Sequence, residues 1–527
     1  MEEKYQPYNK KQALRKASRK GWLLTLLMLG VTPLAYSAKH PTPVLEAIAQ
    51  AGSNKAQLTA LLDGYAKNSK DSLKYRAACF LIENMPIHNT RSYHWEDSLK
   101  RTVPYNEFDY PNFKTAVDTF NKIALKGKLQ PVVEIKTDIS TMSAQELQQN
   151  IEQAFEQWGK PWARALNFEL FCEYLLPYRI MDEPHQPFRK LFEQTYQQVA
   201  EPHKQKSILE FCAAMCQNLK GTFYNTYVAN AANQEPAFLS PRQILFRRQG
   251  ACEDMANWGA YLFRSMGIAT TVDYTPAWAT STGSHYWNVT FGEHTQTIPF
   301  VMESTDSPGR FYLHREPSKV LRITYSKQHD ALAARLPKEE IPEGFMQRTN
   351  YKDVTSTYWM VADLSVALDT MAAKRKVAYV AVLNGLSWKT VWWGDVKNAQ
   401  ATFRDMSCGV VYLPMSYHKG VLTPAEDPYL LRNNGKTEIL KPNLRSPQRI
   451  TLPEKENYLL YRVGKKYTLY CWYQRQWRRV GEKTATDSSP LVFDNVPENA
   501  LLLLIPEYTA GKERPFTINK EGVREYW

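Results

Sequence analysis

The side chain best placed for covalent chemistry is Cys252, in the run Arg247-Arg248-Gln249-Gly250-Ala251-Cys252-Glu253-Asp254-Met255-Ala256. Gly250 allows a tight turn, and Met255, Trp258 and Leu262 share the spacing of a helix over 253–266 that opens at the cysteine. Unpaired N–H groups and the positive end of the helix dipole favour a thiolate there, and such placement lowers a thiol pKa from about 8.5 into the range of roughly 3.5–7.5. Glu253 and Asp254 work in the opposite direction. Carboxylates beside the sulfur raise its pKa unless they point away or are paired.

A thiolate that cleaves an amide needs an imidazole to hold the ion pair and later protonate the departing amine. His285 fits, in Gly283-Ser284-His285-Tyr286-Trp287-Asn288-Val289, where strand alternation puts His285, Trp287, Val289 and Phe291 on one face. His294 falls in an expected turn. The imidazole in turn needs an acceptor to orient it, and Glu303 on the returning strand is the first choice. Asp306 is the alternative, because Pro299 leaves the face parity of that strand open and a slip of one residue exchanges faces. The expected second oxyanion donor, besides the Cys252 backbone N–H, is Asn225, Tyr227 or a side chain of the preceding helical region.

These groups require a helix and antiparallel strands to hold them. The helix ends at Gly267, Ile268–Tyr274 reads as a strand, and Ser284–Phe291 with Thr297–Glu303 reads as a hairpin about Gly292-Glu293-His294. Residues 38–220 carry helical periodicity, including the capping box Ser143-Ala144-Gln145-Glu146 and the apolar stripe of Leu147, Ile151, Ala154, Phe155 and Trp158. One of these helices ends in Asp182, Glu183 and His185, polar density expected to border a cleft, with Arg179 and Glu183 as a candidate buried pair.

A helix-opening cysteine in Gly250-Ala251-Cys252-Glu253-Asp254-Met255, a strand histidine in His285-Tyr286-Trp287-Asn288 and a following acid resemble the transglutaminase-like superfamily. The resemblance implies a papain-like thiol fold with Cys252 as nucleophile, His285 as acid and base, and an acidic orienter, here in Met302-Glu303-Ser304-Thr305 where the family pattern has Asp-Pro-Thr. The helical region with Glu173–Arg179 and the C-terminal part are also similar to exported multidomain members from gut Bacteroidetes. That implies cleavage of an amide bond in a peptide, protein or glycopeptide through a thioester. A cross-linking acyl transferase and a peptide N-glycanase are built on similar cores.

From residue 352 onward short strands dominate and the chain repeats: Trp388, Val391, Gly394 and Phe403 have counterparts in Trp477, Val480, Gly481 and Phe493. The expected architecture is multidomain α+β: a signal peptide at 1–37, a helical region at 38–220, a papain-like core of helix plus antiparallel sheet at 221–335, and two β-sandwich-like modules at 352–445 and 446–527. The segment from Lys338 to Gly344 reads as a linker. A non-catalytic scaffold that binds glycans or proteins through Trp388, Trp392, Trp393, Trp472 and Trp477 is the competing expectation, although tryptophans at strand spacing more often fill cores.

Composition excludes other classes. The 527 residues are 43% hydrophobic and 23% charged, an ordinary globular balance. Five units of the +13 formal charge sit in residues 1–37, and the remaining basic residues are scattered among acids, which argues against a nucleic-acid partner. Lys10, Lys11, Arg15, Lys16, Arg19 and Lys20 precede the apolar run Trp22–Leu34 and the small-residue pattern Ala35-Tyr36-Ser37, so export to the periplasm, cell surface or medium is expected, with no stable membrane span after signal removal. The seven cysteines are odd in number and lack zinc spacing, and Cys212 and Cys216 fall on an apolar helical stripe; neither a metal nor a cofactor is expected.

Overall fold

The computed structural model describes residues 40–527 apart from 161–162, 164–165, 226–236, 293–295, 303–307, 310 and 456–458. The signal-peptide expectation for 1–37 lies outside them. No helix among the described residues is long and apolar enough to cross a membrane. The protein is a mixture of helices and several sheets.

The first part is helical where the sequence carries a 3.6-residue period. Ser143 and Glu146 close the expected capping box, with Ser143 N–H on Glu146 Oε2 at 2.9 Å and Glu146 N–H on Ser143 Oγ at 3.2 Å. The helix Ala144–Trp158 then buries Leu147, Ile151 and Ala154 against Ser72–Asn84 and Lys55–Ala66. The expectation of an all-helical 38–220 needs correction. Asn89–Glu96 forms the centre of an antiparallel sheet between Thr102–Val103 and Gln130–Thr137. Its sequence, Asn-Thr-Arg-Ser-Tyr-His-Trp-Glu, places just one fully buried side chain, Trp95, so no apolar alternation announced it.

The Arg179–Glu183 pairing is corrected as well. Arg179 is fully buried and donates from Nη2 to Asp138 Oδ1 at 2.9 Å, while the Glu183 carboxylate accepts the N–H groups of Ile180 and Met181 and the hydroxyl of Tyr261. Asp138 is distant in sequence and reaches Arg179 through the sheet. These bonds hold a buried polar turn at 178–183, which packs on the helix Cys252–Ser265.

That helix lies on a five-stranded sheet in the order Tyr351–Asp353, Leu321–Ile323, Thr270–Thr275, His285–Phe291, Thr297–Phe300. Pro299 sits on the edge strand, where no further ladder bond is required. The expected linker at 338–344 is anchored by the fully buried Ile341, and the chain beyond it returns to add the Tyr351–Asp353 edge. Across the middle of the sheet Arg322 donates twice to Asp273, at 2.8 Å each, and Tyr358 adds its hydroxyl at 2.6 Å.

The remaining chain forms an antiparallel sheet over 361–439 and further sheets over 443–526. The repeat is visible in the backbone. Hairpins Val377–Asn384/Ser387–Lys397 and Lys466–Tyr473/Gln476–Thr484 each shift register after their fourth residue pair, at Val380/Ala381 and at Leu469/Tyr470. In each, a phenylalanine lies beside a glycine of the second strand, Phe403 beside Gly394 and Phe493 beside Gly481, and at Gly394 a Cβ would also run into the Thr402 carbonyl.

Asp273→Ala leaves the buried Arg322 guanidinium and the Tyr358 hydroxyl without their acceptor. Denaturant unfolding followed by circular dichroism is expected to show a loss of about 3–5 kcal/mol, whereas Asp118→Ala, which breaks the exposed pair with Lys114, leaves the transition in place.

Candidate active site

The turn before Cys252 is fixed from three directions. Arg248 caps the helix Pro241–Arg247 in the left-handed conformation at φ 51°, and its N–H returns to Ile244 O at 3.0 Å. Tyr224 and Asn225 pair in parallel with Gln249 and Gly250. Asp254 then folds back on the turn, its carboxylate accepting Ala251 N–H at 3.1 Å and Leu239 N–H at 3.0 Å. Gly250 is required by this closure, because a Cβ there would stand 2.7 Å from the Asp254 Cβ. Burial pushes the Asp254 carboxyl up to about 6.

Cys252 opens the helix and is half-buried. Its Sγ donates to Glu253 Oε2 at 3.2 Å. Burial, and then the Glu253 carboxylate, push the thiol up to about 12. The opposing effects foreseen at this position therefore resolve against the helix dipole. Asp254 turns into the backbone, Glu253 sits on the sulfur, and at neutral pH the thiol keeps its proton. The Cys252 N–H belongs to the first helical turn, whose donors have no intrahelical acceptor.

His285 begins its strand and pairs with Thr275. Its ring lies between Trp278 and Trp287, at centroid distances of 5.9 and 5.8 Å, and Trp287 continues the same face toward Phe311 and Tyr358. The alternate residues face the helix: Asn288 donates to Ala256 O at 2.7 Å, in space that Gly259 leaves by lacking a Cβ. Among the described residues no hydrogen bond joins Cys252 to His285. Burial lowers the imidazole pKa and the nearby Arg315 lowers it further, so the ring is neutral at pH 7. Glu303, Asp306 and Tyr227 lie outside the described residues, and Asn225 pairs beside Gly250.

Two groups extend the site beyond the residues first singled out for chemistry. Asp182 shares Oδ2 between Arg91 and Arg348, each at 3.2 Å, while its buried Oδ1 has no partner; its charge, like those of Arg348, Glu253 and Cys252, is felt at the Tyr286 hydroxyl. Asn257, one helical turn beyond Glu253, is fully buried with both amide atoms unpartnered. Asp182 was legible as polar density after an apolar helix; Asn257 was legible as the one amide inside the apolar helix stretch.

No family model and no curated protein matches the chain. Among solved structures it is similar to red sea bream transglutaminase, at 10% identity over 81% of this chain and 76% of that one, with a TM-score of 0.19. Overlap at that level adds nothing to the argument from the residues.

Glu253→Gln removes the carboxylate from the sulfur while keeping a side chain of the same shape. Its thiol pKa is expected to fall, and alkylation of Cys252 by iodoacetamide at pH 7 to accelerate about tenfold for each unit of that fall. The labelling rate of Cys252, resolved by peptide mapping, measures this.

Proposed function

We propose that the chain is an exported thiol hydrolase of transglutaminase-like class, cleaving an amide bond in peptides or glycopeptides through Cys252, His285 and an acid, Glu303 or Asp306. In this reading the helix and five-stranded sheet form a papain-like core and the C-terminal sheets form two β-sandwich-like modules. One observation carries it: a half-buried cysteine opens a helix that packs on the strand headed by His285.

In the resting site the thiol is protonated and bonded to Glu253. In this structure the imidazole lies on the strand face opposite the helix, so the reaction requires a change of backbone at the strand's start, beside the left-handed Gly283 at φ 77°, that carries His285 to the sulfur. The S–H proton then passes to His285 as sulfur bonds to the carbonyl carbon and the C=O electron pair moves to oxygen, which the Cys252 N–H stabilises. Collapse of the oxyanion breaks the C–N bond, and the imidazolium protonates the leaving amine. A water, deprotonated by His285, attacks the thioester and releases a carboxylic acid and the thiol. An amine in place of water would give acyl transfer, and an asparagine-linked glycan as leaving group would give deglycosylation.

A second reading, a scaffold without catalysis, is favoured by the thiol bonded to Glu253 and the imidazole stacked between tryptophans. The two separate in one set of measurements. If the enzyme reading holds, Cys252 alkylates ahead of the other six cysteines at neutral pH in the presence of substrate peptide, His285→Ala slows that labelling, and mass spectrometry of a peptide, a glycopeptide and an amine-spiked mixture shows product that Cys252→Ala abolishes. Sluggish labelling of Cys252, unaffected by His285→Ala, together with no product, leaves the scaffold.

A further inference from the structure

A cavity of about 320 Å³ lies between the strand Asn89–Glu96, the helix Phe113–Gly127 and the helix Pro241–Arg247, within the size range of small-molecule sites. Aromatic rings form much of its wall: Trp95, Tyr105, Phe108 and Phe113. They are held in place by other rings and cations. Trp95 and Tyr105 both pack on Phe120, at 4.7 and 4.9 Å between centroids, while Arg242 lies over Phe108 at 4.1 Å and Arg247 over Phe113 at 5.1 Å.

The polar part of the wall centres on Glu107, a carboxylate 6% exposed. Arg247 donates to it at 2.7 and 2.8 Å and Gln243 at 2.7 Å. A carboxylate offers about four lone-pair sites, so three bonds leave one acceptor site for a ligand. Arg247 is paired with Glu107, and His94 meets Glu96 and Glu134 at 3.3 Å each. The lining therefore offers no unpaired Arg or Lys to an anion. It offers aromatic faces together with a buried acceptor, which suits a neutral ring with hydroxyls at its edge and a C–H face to lay on aromatic carbon.

We propose that this cavity binds a neutral sugar ring, and that the sugar is the glycan part of a glycopeptide whose amide reaches Cys252. The second half rests on the thiol-hydrolase reading; the first does not. The wall residues Gln243 and Arg247 belong to the helix that precedes the Arg248–Gly250 turn leading to Cys252.

The test uses the full chain with glucose, galactose, mannose and N-acetylglucosamine as probes, followed by saturation-transfer NMR and tryptophan fluorescence. At least one sugar is expected to bind, with affinity reduced about tenfold in Phe113→Ala and in Gln243→Ala, while circular dichroism and Cys252 alkylation stay as in the parent. Binding of none of the four, binding unchanged in both variants, or binding of phenol or indole in place of sugars overturns the assignment. Sugar binding in a chain whose Cys252 proves inert keeps the cavity and removes the substrate role, as does cleavage of a bare peptide as fast as its glycosylated form.

Discussion

The structure depends on one helix being enclosed. From Asp254 to Ser265 every residue of the helix opened by Cys252 is buried, with the sheet on one side and the polar turn at 178–183 on the other. Enclosure of this kind favours an internal partner for each buried polar group, and Asn257, with neither amide atom bonded, departs from it. Asn288 finds one toward the sheet, Tyr261 toward Glu183, and Arg264 by donating to the carbonyls of Arg179 and Thr270 at 2.8 Å each. Gly259 is the point of closest approach. The position of Cys252 is therefore set by contacts along the whole helix rather than by the turn alone.

The same enclosure explains which parts of the site could be read in advance. A helix beginning near Cys252 and ending at Gly267, and the antiparallel strands after it, are legible because burial imposes period on the sequence. The face shared by His285 and Trp287 was legible for the same reason. The direction of Glu253 was not, since a carboxylate beside a thiol is placed by neighbours far along the chain. The rotation of the imidazole away from the helix was equally hidden: strand alternation says which residues share a face, not which face meets the helix. In the first region, the strand at Asn89–Glu96 escaped notice because a largely half-buried sheet need not alternate, and Arg179 found Asp138, not the nearby Glu183, through a contact that only tertiary folding creates.

The C-terminal tryptophans show how a repeat can use one residue for packing twice. Trp388 and Trp477 occupy corresponding places in the two hairpins, and their rings lie parallel, 6.4 Å apart, with Trp472 edge-on to both at 5.3 Å. This favours their role as filling over the glycan-stacking surface weighed from sequence. Arg475 and Asp369 add an ion pair at 2.7 Å beside them.

That indole cluster ties the two repeats into one folding problem. A chain ended near residue 445 would uncover Trp388 and the apolar surface around it, and would be prone to clumping when expressed; a fragment begun there would do the same with Trp472 and Trp477.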